Sequence, residues 1–129
     1  MNTELFKKIN DIINPVRDDT GRRAVNFGVF DMCTWEDGTG CGTTRCVAGW
    51  AVHLATGTPL YEEPHLLRKE VAELADWLGV DHQVPDIAMV LLGLEERERR
   101  LFCIDEARAV EFVALASEGQ EDEARRVLW

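Results

Sequence analysis

The chain has 129 residues, enough for one domain around a modest core, and its 46% hydrophobic and 29% charged residues exclude wholesale disorder. A formal net charge of −10 excludes direct binding of nucleic acid or an anionic membrane through a broad positive surface, because phosphates would be repelled. The same charge favours solubility and permits contact with basic protein surfaces, including ones that normally hold nucleic acid.

No apolar run reaches the length of a membrane helix, and "MNTELFKKIN" lacks the apolar region of a secretory signal. The expected compartment is the cytoplasm. There Cys33, Cys41, Cys46 and Cys103 would be thiols or metal ligands rather than disulfides.

In chain order, Leu5, Phe6, Ile9, Ile12 and Ile13 recur at helical spacing, with Thr3 as the expected cap and Pro15 as the stop. "RDDTGRR", 17–23, reads as a polar loop. "AVNFGVFDMCTW", 24–35, is either a short strand or an extended segment pinned by Phe27, Phe30 and Trp35. "DGTGCGTT" then leads into "RCVAGWAVHLAT", 45–56, a helix capped by Thr43 or Thr44 and ended by Gly57. Past Arg45 this helix carries no formal charge on any face, as a buried helix does. Ala48, Gly49 and Ala51 would let a neighbouring element approach, with Trp50 filling the space beside them.

"TPLYEEPH" reads as a loop with two prolines. Leu67, Val71, Leu74 and Leu78 form a helical stripe closed by Gly79. Pro85 opens "PDIAMVLLG", which Gly93 ends. "LEERERRLF" places acids in its first turn and arginines in its last, matching the helix dipole. Asp105 caps "EARAVEFVALASEG", with Ala109, Val113 and Ala116 on a buried face, and "DEARRVLW" is a last short helix. The expected fold is therefore all-α. It is a single domain over 1–129, with roughly six helices around a buried central helix at 45–56 and at most a short strand or extended segment near 24–35.

These motifs also carry a resemblance. "FDMCTW", "CGTTRCVAGWA" and the later "LLGL…LF" are similar to small proteins of actinobacteria and their bacteriophages. Those proteins share an F-D-x-x-x-W segment, a C-G-T-x-x-C-x-A-G-W-A core and a downstream L-G-L turn. The matching positions are Phe30, Asp31, Trp35, Cys41, Gly42, Thr43, Cys46, Ala48, Gly49, Trp50 and Ala51, then Leu92, Gly93, Leu94, Leu101 and Phe102. The likeness implies a phage or actinobacterial origin, hence a host cytoplasm, and transfers no catalytic residue.

Three kinds of chemistry can be weighed on the residues themselves. Gly40, Gly42, Thr43, Thr44 and Arg45 form a glycine-rich turn before a helix, whose backbone N–H groups suit a small anionic ligand such as a nucleotide. The same residues serve equally as a plain capping turn, and the lysine of a phosphate-binding loop is absent. A zinc site would draw on Cys33, Cys41, Cys46 and Cys103 with His53. Cys46 and His53 stand two helical turns apart, about 10 Å, too far to share one ion comfortably. No metal and no cofactor are expected. A Cys41 nucleophile assisted by His53 or His65 lacks any surrounding motif, so no catalytic residue is assigned.

Acidic residues gather in two places, Glu62, Glu63, Glu70, Glu73 and Asp76, and later Glu111, Glu118, Glu121, Asp122 and Glu123. The functional expectation is a non-enzymatic, phage-type accessory protein that binds and modulates a host protein, counter-defence being one such role. An anionic-ligand sponge built on 38–45 and a zinc-stabilised module are the alternatives.

Overall fold

A computed structural model describes residues 1–32, 34–36, 45–63 and 66–129. Gly40, Cys41, Gly42, Thr43 and Thr44 of the glycine-rich turn lie outside the described residues, as do Cys33 and His65. Six α-helices and one 3₁₀ helix make up the described architecture, with a two-stranded antiparallel ribbon as the described sheet. The all-α expectation holds.

Helix α1 (Thr3–Ile13) buries Leu5, Phe6, Ile9 and Ile13, the stripe that a period of 3.6 residues places on one side. Its cap is Asn2, not Thr3: the Asn2 side chain accepts from the Leu5 N–H at 3.1 Å. Helix α2 (Val47–Thr56) starts two residues later than its sequence suggests, and Cys46, not Thr43 or Thr44, is its N-cap. The Cys46 Sγ accepts from the Gly49 N–H at 3.4 Å. The first six residues of α2 are buried, while its far end rises to the surface at Ala55, so burial follows half of the helix rather than all of it.

The "TPLYEEPH" stretch, expected as a loop, contains strand β1 (Tyr61–Glu63), paired antiparallel with β2 (Leu66–Leu67). Leu67 therefore belongs to this ribbon. Helix α3 (Lys69–Leu78) begins after it and buries Val71 and Ala75. Helix α4 (Val84–Leu92) opens with Pro85 in its first turn, and α3 and α4 end on Gly79 and Gly93 in the left-handed conformation that glycine adopts without strain. "LEERERRLF" winds as a 3₁₀ helix (Glu96–Cys103) started by a reciprocal capping box between Glu95 and Glu98. Helix α5 (Glu106–Ser117) is capped by Asp105 as expected, and α6 (Glu121–Val127) closes the chain. In the packing, α1 lies on α5, α2 on α4, and α6 on α5. Phe6 of α1 meets Phe112 of α5 with ring centroids 5.8 Å apart.

The described part of 24–35 is not a strand: residues 27–29 form a turn, and Phe27, expected to pin the segment, is 65% exposed. Among its described residues the one ladder contact is an isolated parallel bridge from Phe30 to Arg45. It is held because α2 lets it come unusually close: a Cβ added at Gly49 would lie 1.8 Å from the Trp35 carbonyl oxygen and 2.9 Å from its carbon. Both partners are backbone, so neither can swing aside. Gly49→Ala should accordingly lower stability by about 3 kcal/mol, seen as a drop of about 10 °C in Tm. Gly49→Leu should abolish soluble expression. Circular dichroism melts and soluble yield check both, and an unchanged Gly49→Ala melt would mean that the close approach is absent.

Candidate functional site

The motif residues converge on the start of α2. The Arg45 N–H donates to the Val29 carbonyl at 3.0 Å, the Asp31 N–H to the Arg45 carbonyl at 3.2 Å, and the Cys46 N–H to the Thr34 carbonyl at 3.0 Å. The Trp50 indole N–H donates to the Val29 carbonyl at 2.9 Å. Phe30, Trp35, Gly49 and Trp50 thus act together to lay the 27–36 segment across the helix.

At the centre is a charge pair. Arg45 Nε donates to Glu36 Oε2 at 2.8 Å, with side-chain exposures of only 6% and 8%. The same carboxylate accepts the Leu60 N–H at 2.9–3.0 Å, which ties the chain leaving α2 back to its start. The guanidinium lies 4.8 Å over the Trp50 ring, a favourable cation–π placement. Arg45 was a candidate for an anionic ligand, yet its charge is engaged by Glu36, and the other residues of that candidate lie outside the described ones.

Cys46 is buried, and desolvation pushes its thiol up to about 11, so at neutral pH it is the S–H form. A thiol in that state suits a cap and disfavours a nucleophile or thiolate ligand. His53 sits on the exposed end of α2, where its Nδ1–H donates to the Thr58 carbonyl at 2.8 Å. Cys103 is exposed at the far end of the 3₁₀ helix. Among the described residues no group of three or more His, Cys, Asp or Glu side chains is placed to hold a metal ion. No described helix is long and apolar enough to cross a membrane.

The most unusual surface feature is one the acidic clusters only bordered. Trp77, in the last turn of α3, is 82% exposed, more than any other large apolar side chain described. Glu70, Glu73 and Trp77 follow at spacings of three and four, which puts them on one helical face. Asp76 stands beside them and pairs with His82 at 2.7 Å. That spacing is legible in the sequence: Trp77 falls off the Leu74–Leu78 stripe and onto the acidic side.

No family model matches this chain, and neither a curated protein nor a solved structure matches it.

Removing one member of the buried pair strands the other charge. Glu36→Gln should cost about 3 kcal/mol in chemical denaturation, and adding Arg45→Met should cost less than the sum of the two single changes. The chain's single tyrosine gives a second readout. Burial, and then the Glu36 charge, raise the Tyr61 pKa, so the native state keeps that proton longer than the unfolded chain. The associated stability is complete below the unfolded tyrosine pKa and is lost as pH rises through the native one. Tyrosinate absorbance should titrate higher in native than in denatured protein, and Glu36→Gln should bring the native midpoint down.

Proposed function

We propose that this chain is a non-enzymatic accessory protein that works by binding another protein, through the face of α3 that carries Trp77, Glu70, Glu73 and Asp76. The observation that carries this reading is the 82% exposure of Trp77 amid carboxylates. Tryptophan is a middling helix former, so helix propensity gives no reason for it there. Its large rigid surface is the commonest anchor of protein interfaces. The surrounding acids and the net charge of −10 specify a partner with a basic surface.

Two further points support the reading. The chemistry-bearing cluster at Glu36 and Arg45 is engaged in holding the fold together. The resemblance of the "FDMCTW" and "CGTTRCVAGWA" motifs to actinobacteriophage proteins favours a host protein as the partner and the host cytoplasm as the setting.

The test is affinity capture from an actinobacterial lysate with wild-type chain, Trp77→Ala and Trp129→Ala as parallel baits. Trp77→Ala should leave stability within about 0.5 kcal/mol of wild type, because the side chain contacts little. It should weaken capture of the partner about thirtyfold, the effect of losing an interface hot spot. A partner retained equally by Trp77→Ala would remove α3 as the docking face.

A further inference from the structure

The turn between α3 and α4 opens onto a groove of about 430 Å³. Its apolar lining is Val80, Met89, Val90 and Leu94. Its charged lining is Asp81, Asp86 and Glu96 with a single guanidinium, Arg99. Arg99 is ion-paired with Asp86 and stands 3.7 Å from Glu96. Three carboxylates facing one guanidinium leave the lining two negative charges in surplus.

We propose that this groove receives a lysine or arginine side chain from a basic segment of a partner protein. The aliphatic stem would lie along Val80, Met89, Val90 and Leu94, and the charged head would reach Asp81 and Glu96. The proposal rests on the protein-binding reading above and names the chemistry of the partner's contact. Long basic side chains are matched to such a lining because they bury a hydrocarbon stem while keeping the head among polar groups. A neutral apolar ligand would desolvate the carboxylates without compensation, and an anion would be repelled by them. Arg99 is itself a guanidinium in this lining, which therefore already accepts the group proposed. Gly79 also lines the groove and lies only two residues beyond Trp77, within about 7 Å of chain.

The probe is a short fluorescein-labelled peptide alternating arginine and leucine, titrated into the ¹⁵N-labelled full chain, with a glutamate–leucine peptide as control. Saturable amide shifts centred on Val80, Asp81, Val90 and Leu94 are expected with the arginine peptide alone. Asp81→Asn combined with Glu96→Gln should weaken binding about tenfold. Glu118→Gln combined with Glu123→Gln, on the second acidic cluster, should leave it within about twofold of wild type.

Shifts confined to Glu70, Glu73 and Trp77 would overturn the groove while leaving α3 as the docking face. Equal losses from both pairs of substitutions, or unsaturable shifts over both acidic clusters, would mean charge attraction alone and overturn it too. Concentration-dependent groove shifts without peptide would make a second copy of this chain the occupant, and no shift at all would end the proposal. Groove binding that persists while Trp77→Ala still captures the same partner would instead sink the Trp77 reading by itself.

Discussion

The fold depends on the contact between the Trp35 carbonyl and Gly49. A helix normally keeps neighbouring backbone at side-chain distance, yet here a hydrogen in place of Cβ admits a peptide group against the first turn of α2. That approach orders the described residues nearest α2, while farther back the Asn26 N–H donates to the Ile13 carbonyl and the Met32 N–H to Glu106. The same approach brings the Val29 carbonyl within reach of both the Arg45 N–H and the Trp50 indole, and it sets the Thr34 carbonyl over the Cys46 N–H. An irregular segment has no ladder of its own, so its polar backbone groups must find partners elsewhere. The start of α2 supplies several of them, and α1 and Glu106 supply others.

The Glu36–Arg45 pair is a consequence of the same geometry. Two charges nearly out of water are costly apart, and their attraction offsets that cost only when the remaining polar atoms are also satisfied. Glu36 meets that condition by taking the Leu60 N–H as well as Arg45. The carboxylate thereby bonds to both ends of the α2 region. Glu98 repeats the device: fully buried, it accepts its own cap's N–H from Glu95 and the Arg125 Nε at 3.2 Å, linking the 3₁₀ helix to α6.

How much of this was legible depended on whether a residue's role is local. The α1 stripe, the helix-ending glycines at 57, 79 and 93, Pro85 and the Asp105 cap are set within a turn or two of chain, and all stand where the periodicity puts them. The start of α2 falls two residues later than the local pattern predicts because its cap is decided from outside: Thr34 takes the Cys46 N–H and Glu36 holds Arg45. The short ribbon at Tyr61–Glu63 was hidden by Pro59 and by pairing that no local pattern encodes. Glu36 sits unremarked in "TWED", since nothing in a sequence distinguishes a buried glutamate from a solvated one. Trp77 is different. Its spacing with Glu70 and Glu73 is local and stands in the sequence beside the buried Leu74–Leu78 stripe.

The chain's 14 basic side chains divide between its joints and its surface. Four of them join separate parts of the structure. Arg45 reaches Glu36, Arg99 on the 3₁₀ helix reaches Asp86 on α4, Arg108 on α5 donates to the Val127 carbonyl at 3.1 Å, and Arg125 on α6 reaches Glu98. A guanidinium suits such joints because its planar fork makes several directed bonds and it stays charged at any working pH. Each one so used has its charge matched inside the fold or held against a neighbouring element. Glu62, Glu63, Glu70, Glu73 and Asp76 have no comparable inward role: Glu70, Glu73 and Asp76 pair at the surface with Arg68, Lys69 and His82, in the region that exposes Trp77. The joints use guanidinium groups, while the acidic exterior follows from 24 carboxylates against 14 basic side chains, most of which are themselves exposed.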